Sequence, residues 1–166
     1  MPKAIRRRDA GKPIEGLSAL MSRLYANRGV TRSSQVDYSL KHMLSPDGLL
    51  GIDTAAKLLA DAIQTQRHIM IVGDFDADGA TSCALLVQGF RDLRAGHVSY
   101  LVPNRFDYGY GLTPEIVDVA KLQSPDLIVT VDNGISSIDG VAHATRLGIE
   151  TIITDHHLPG DQLPDA

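Results

Sequence analysis

His68-Ile69-Met70-Ile71-Val72-Gly73-Asp74-Phe75-Asp76-Ala77-Asp78-Gly79 is the stretch on which the fold turns. Its first half is apolar without alternation and ends in glycine, the pattern of a strand buried on both faces. Its second half is acidic, and a helical pattern follows from Gly79 to Leu93. A buried strand running into a polar turn and then a helix is the opening of a parallel α/β unit. Asp74, Asp76, Asp78 and Gly79 also match the first half of an EF-hand calcium loop. That loop needs an acidic twelfth position, which here is Leu85, and an entering helix where this chain has a strand. The EF-hand reading therefore fails.

Downstream, the same alternation repeats. Val98–Val102 reads as a second strand, and residues 103–113 as a loop rich in Gly, Tyr and Arg. Pro114 opens a helix at the first-turn position that proline favours. Leu127–Val131 reads as a third strand, Ser137–Leu147 as a helix and Thr151–Thr154 as a fourth strand. The expected fold is α/β, a mostly parallel, Rossmann-like sheet with helices on both faces. The last strand is apolar enough to be interior, so a further neighbour is expected beyond residue 166 and the domain is expected to be incomplete.

Upstream the chain is different. Residues 1–50 hold nine Lys or Arg against four acids, +5 net, while the whole chain is −4 and the remainder therefore −9. This basic leader, with Arg6-Arg7-Arg8 near its start, suits either a solvated tail or contact with nucleic-acid backbone. Helical spacing spans Gly16–Ala26, a second short helix is expected from Ser33-Ser34 to Met43, and Ser45-Pro46-Asp47-Gly48 reads as a turn. Asp53 is expected to cap a helix running to about Gln66. Two regions result: a basic, helical leader over 1–50 and an α/β domain, expected to be incomplete, over 51–166. A single cysteine, Cys83, rules out an intramolecular disulfide and points to the cytoplasm. No stretch approaches the roughly 20 apolar residues of a membrane-spanning helix.

Three of the four strands end in acid. The first delivers Asp74, Asp76 and Asp78, the third Asp132-Asn133-Gly134, the fourth Asp155-His156-His157. In an open parallel sheet these ends share one edge, where ligands bind beside a change in strand order. So many carboxylates repel one another unless cations join them, and carboxylate oxygen with some imidazole nitrogen suits Mn²⁺ or Mg²⁺. Each feature has a plainer explanation taken singly: Asp76 and Asp78 as helix caps, Asp132-Asn133-Gly134 as a turn, His156 as a strand-end histidine. Three acidic strand ends at one edge are better explained by a site.

Asp155-His156-His157 is the motif that names the DHH phosphoesterases, and the chain resembles that family. Gly73–Gly79 resembles the family's first motif and Thr130-Val131-Asp132-Asn133-Gly134-Ile135-Ser136 its third. Val102-Pro103-Asn104-Arg105-Phe106-Asp107-Tyr108-Gly109-Tyr110-Gly111-Leu112 resembles the second motif of the RecJ exonuclease branch. The resemblance implies a 5′-to-3′ exonuclease of single-stranded DNA, acting in recombination and repair with two Mn²⁺ or Mg²⁺ ions. It implies single-stranded DNA as substrate, and single-strand-binding protein and helicases as partners. By position, Asp76 and Asp78 would each ligate one ion, Asp132 would bridge both, and His156 would be a further ligand. Asp74 would be a ligand or an acid supporting one. Asp155 would orient a histidine and His157 would lie near the scissile phosphate. Asn104 and Arg105 could hold phosphate oxygens. Tyr108 and Tyr110 could stack on bases or act as packing anchors.

Two departures from the family pattern stand out. Many members have a histidine two residues before the first aspartate, where this chain has Val72, so that Asp74 or water would fill the place. The family's further bridging aspartate and second substrate domain lie beyond residue 166, and the 166-residue chain by itself is expected to be inactive. The alternatives are a DHH phosphodiesterase of short oligonucleotides or cyclic dinucleotides, and a non-catalytic DHH module that binds DNA or assembles with other chains.

Overall fold

The computed structural model describes residues 8, 9 and 11–166. Of the basic leader, Lys3, Arg6 and Arg7 lie outside the described residues. The chain forms two compact units, one ending at Leu50 and the other running Gly51–Ala166.

In the first unit, helix α1 (Ala19–Ala26) is capped by Ser18, whose Oγ accepts from the Met21 N–H at 3.3 Å. The second helix expected over 33–43 does not form. Two short 3₁₀ turns, Ser33–Val36 and Leu40–His42, replace it. The cause is local side-chain competition for backbone donors. Gln35 Oε1 accepts from Thr31 and Arg32 N–H, and the Asp37 carboxylate accepts from Ser39 N–H at 3.0 Å while its backbone is extended. Such bonds offer the chain an alternative to the helical ladder. Ser45–Gly48 does turn, as a 3₁₀ piece over Pro46–Gly48.

The second unit is a four-stranded parallel sheet with helices on both faces. Its elements are α2 (Ile52–Gln64), β1 (His68–Gly73), α3 (Ala77–Asp92), β2 (His97–Leu101), α4 (Arg105–Tyr108), α5 (Pro114–Lys121), β3 (Leu127–Val131), α6 (Ile138–Arg146) and β4 (Glu150–Thr154). Strand order is β2-β1-β3-β4. Alternate residues of β1 explain the two layers. Met70 and Val72 pack with Ile128 against Ile116, Val117 and Ala120 of α5 and Val141 and Ala144 of α6. Ile69 and Ile71 pack with Leu127 and Val129 against Ala62 of α2 and Cys83 and Phe90 of α3. Every residue of β1 and of β3 is buried, as continuous apolar runs in a two-sided sheet require.

Most element ends fall one to three residues from expectation, and two differences have a clear local cause. Gly51, in the left-handed region at φ 73°, is the residue preceding α2. Asp53 falls inside the first turn, where its charge suits the positive end of the helix dipole. The loop after β2 contains one helical turn, α4, because Asn104 Oδ1 accepts from the Phe106 N–H at 3.0 Å and caps it. Topologically, the chain leaves β1 for β2 on one side and returns to β3 on the other. That reversal opens a crevice between the C-terminal ends of β1 and β3. Among the described residues no helix is long and apolar enough to cross a membrane.

Candidate metal centre

The residues leaving β1 are fixed by the start of α3. Asp76 is its N-cap, with Oδ1 accepting from Asp78 and Gly79 N–H at 3.1 Å each. The bond from Gly79, then that from Asp78, holds the Asp76 carboxyl below its usual range against the opposing effect of burial. Gly79 has to be glycine, since a Cβ there would collide with the backbone of Asp74. Asp74 itself is nearly buried; Oδ1 accepts from Phe75 N–H at 2.8 Å and Oδ2 pairs with Arg105 Nη2 at 2.5 Å.

Asp132 leaves β3 in the left-handed region, at φ 62°. Aspartate tolerates that conformation better than most residues, and such backbone concentrates at functional sites. Its N–H donates to Thr154 O at 3.0 Å, so the turn is tied to the end of β4. Burial, with the Asp76 charge adding to it, pushes the Asp132 carboxyl upward, while the contact with His156 pulls the other way. His156 Nε2 stands 2.9 Å from Asp132 Oδ1.

Beyond β4, Asp155 acts as an anchor. Its side chain is 1% exposed; Oδ2 accepts from Ile135 N–H at 2.9 Å and Oδ1 lies 2.7 Å from His157 Nδ1. Burial alone would raise this carboxyl, but the hydrogen bonds from Ile135 and His157 outweigh it and hold it low. The bond to Asp155 in turn raises the His157 imidazole above its usual value.

Ligand-type atoms of Asp74, Asp76 and Asp132 lie within 4.8 Å of one another, and so do those of Asp132, His156 and His157. Asp132 belongs to both groups. Asp78 belongs to neither; it lines the adjoining crevice of about 350 Å³ together with Thr81, Ser82, Asp132, Asp155 and His156.

The loop residues come to the same place with different commitments. Asn104 caps α4, and its Nδ2 donates to Asp107 Oδ2 at 2.6 Å, so its amide serves the loop. The Arg105 guanidinium lies 4.2 Å from the Phe75 ring centroid and 5.2 Å from that of Tyr110. Tyr108 is exposed at the end of α4. The Tyr110 hydroxyl donates to Asp132 O at 3.2 Å, and its ring meets His157 edge-on at 5.6 Å between centroids. Burial, with Asp155, Asp74 and Asp132 nearby, pushes the Tyr110 phenol up to about 12. Of the two roles open to Tyr110, anchoring is the one these contacts describe.

Residues 68–166 match the DHH family, N-terminal domain. The chain belongs to the DHH family. It is 56% identical, over 99% of its length, to the single-stranded-DNA-specific exonuclease RecJ of Salmonella typhimurium, and 52% identical, over 98%, to that of Escherichia coli. It spans 29% of the length of each of these relatives. Among solved structures, exonuclease RecJ bound to manganese superposes with a TM-score of 0.66 at 39% identity, over 74% of this chain and 31% of that one. RecJ in complex with Mn²⁺ from Thermus thermophilus superposes at 0.63 and 35% identity, over 89% of this chain and 20% of that one.

Two features of this DHH centre escape the sequence. Asn133 is 2% exposed, and its Nδ2 donates to Val72 O at 3.1 Å and Val131 O at 2.9 Å, fastening the acid-bearing ends of β1 and β3 together. In sequence it reads only as the middle of a turn. The Asp74–Arg105 ion pair joins residues 31 positions apart, and no periodicity reveals such a pair.

Proposed function

We propose that this DHH chain carries metal-binding residues of the active site of a 5′-to-3′ exonuclease that hydrolyses phosphodiester bonds in single-stranded DNA during recombination and repair. The observation carrying the reading is that Asp132 lies within 4.8 Å, ligand-type atom to ligand-type atom, of Asp76 on one side and of His156 and His157 on the other. A shared carboxylate between two oxygen- and nitrogen-rich groups fits a pair of Mn²⁺ or Mg²⁺ ions. Relatives named single-stranded-DNA-specific exonucleases, and solved RecJ structures holding manganese, support the same choice.

Asp76, Asp132 and His156 would hold the cations, with Asp78 at the rim of the crevice. Bound there, the cations supply Lewis acidity toward the phosphate and its attacking and leaving oxygens. The chain's own part is orientation and proton handling. Asp155 fixes His157 through Nδ1 and keeps it basic, which leaves Nε2 as the atom to carry a proton beside the substrate. Arg105 offers a planar donor set for a phosphate oxygen. A soluble cytoplasmic setting fits the lone cysteine, Cys83, a buried free thiol.

The test is digestion of 5′- and 3′-labelled single strands and of a blunt duplex by the full-length protein, with Mn²⁺ and with EDTA. Metal-dependent loss of the 5′ label from single strands, with the duplex spared, is the expected outcome. Cleavage that persists in EDTA would overturn the reading.

A further inference from the structure

We infer that Asp74 is a positioning residue that sets Arg105 for a backbone phosphate, and that it is not a metal ligand. The inference rests on the reading of the centre as a DNA-cleaving metal site and assigns one of its acids a different task.

The carboxylates of the cluster are not equivalent. Among the described residues Asp76 accepts N–H bonds through Oδ1 alone, on the helix cap, and Asp132 meets His156 through Oδ1, while the two carboxylates also face each other. Asp74 has both oxygens engaged, Oδ1 by the Phe75 N–H and Oδ2 by Arg105. A cation on Oδ2 of Asp74 would stand against the Arg105 guanidinium, which already holds that oxygen at 2.5 Å in a nearly buried position where like charges repel strongly and charge-assisted bonds are strongest. Neutralisation of Asp74 is already supplied by Arg105.

The pair also determines where Arg105 can be. Its guanidinium is held at Nη2 by Asp74 and lies near two aromatic rings, Phe75 and Tyr110. Phe75 is the residue next to Asp74, and Tyr110 is bonded through its hydroxyl to the Asp132 carbonyl. Arg105 is therefore referenced to both acid-bearing strand ends, although it belongs to a separate loop. Among the described residues its remaining N–H donors have no hydrogen-bond partner, and its side chain is 41% exposed. A flexible arginine loses much freedom on gripping a phosphate, and one already fixed by an acid and two rings loses less. The matching ligand is a phosphodiester oxygen of a strand entering the crevice.

The experiment compares Asp74→Asn, Arg105→Ala, Asp76→Asn and the Asp74→Asn/Arg105→Ala double variant in the full-length protein. Asparagine keeps the acceptor for Phe75 and removes the charge that holds Arg105. Thermal melts establish that each variant is folded, and Arg105→Lys serves as a second probe. For Asp74→Asn, calorimetry should give the wild-type Mn²⁺ stoichiometry. The KM for single-stranded DNA should rise about tenfold, the size expected for losing one charge-assisted bond, with kcat changed far less. Binding to single strands in EDTA should weaken, with a salt slope reduced by about one counterion, as in Arg105→Ala. The double variant should be no worse than either single one, because both remove the same unit. Loss of one Mn²⁺ in Asp74→Asn, or a drop confined to kcat, would overturn the inference. Asp76→Asn is the control for the parent reading: if it too binds Mn²⁺ normally, the metal centre itself is misassigned, whatever Asp74 does.

Discussion

His156 Nε2 and Asp132 Oδ1 are 2.9 Å apart, although 24 residues separate them in sequence. The pairing joins the end of β4 to the end of β3, and Asp132 faces Asp76 from β1 as well. One carboxylate is thus the meeting point of three strand ends. Its left-handed backbone turns that side chain into the crevice while the Asp132 N–H keeps hold of Thr154.

Asp132→Asn in the full-length protein should abolish Mn²⁺-dependent cleavage, by a hundredfold or more at the scale of about several kcal/mol that metal ions supply. The fold should survive, because asparagine has nearly the same volume and also accepts a left-handed backbone. Asp132→Val should add strain of about 1–2 kcal/mol at that same backbone. Near-normal turnover by folded Asp132→Asn would remove Asp132 from the chemistry.

Much of this was legible in the sequence because it depends on short-range patterns. The largely apolar, non-alternating runs 68–73 and 127–131 specify buried parallel strands, and a parallel sheet places Asp74, Asp132 and Asp155 at one edge without further information. What stayed hidden depends on side chains crossing between elements. Ser33-Ser34 are suited to cap a helix reaching Met43, yet Gln35 and Asp37 capture the backbone donors first. The loop 103–113 looks irregular, yet Asn104 nucleates a helical turn inside it. Arg105 could be assigned to phosphate by its type alone, whereas its attachment to Asp74 needed the fold.

Gly79→Ala should destabilise the protein even though alanine is the better helix former by about 1 kcal/mol. The added methyl would overlap the Asp74 backbone, so α3 must shift or the turn carrying Asp76 must open. A loss of about 2–3 kcal/mol in urea unfolding is expected, as for other overpacked sites. A stabilised variant would show that this turn has slack.

At the opposite end of the sheet, His68 predicts a pH dependence of stability. It stacks on His97 with ring centroids 3.7 Å apart; its Nε2 lies 2.7 Å from Ser99 Oγ and its Nδ1 3.3 Å from Ser124 O. A neutral ring donating from Nδ1 and accepting at Nε2 satisfies both contacts. Burial first, and His97 second, push its pKa below 6.5, against the carbonyls of Ser124 and Gln123 and the charge of Asp126. Well above pH 6.5 both folded and unfolded chains carry a neutral His68, and it contributes no slope. Below that the unfolded chain takes up a proton that the folded chain refuses, so stability falls with pH until the lower folded pKa is passed. Between pH 7.5 and 5.5 His68 therefore lowers the urea midpoint while the raised His157 opposes it, and His68→Asn should remove the His68 share, so that the variant's midpoint falls less, or rises more, than the wild type's. Parallel pH profiles for the two proteins would place the proton elsewhere.

Asn133 gives the last prediction, because it ties stability and metal affinity together where Asp132 separates them. Its amide donates to Val72 O, two residues before Asp74, and to Val131 O, the residue before Asp132. With 2% exposure there is no water to replace those donors. Asn133→Ala should cost about 2–4 kcal/mol, the scale for leaving two buried carbonyls without this partner. The ends of β1 and β3 would then be free to move apart, and ligand atoms now within 4.8 Å would lose their spacing. Mn²⁺ affinity should drop about tenfold, comparable to losing a group that orients metal ligands. Asn133→Asp should be worse at neutral pH, since it sets a carboxylate against two carbonyl oxygens in a buried place. Asp132→Asn, by contrast, should lose the metal and keep its stability. Calorimetry with Mn²⁺ beside urea unfolding separates the two patterns. An Asn133→Ala protein that binds Mn²⁺ like wild type, at reduced stability, would show that the strands hold the spacing by themselves.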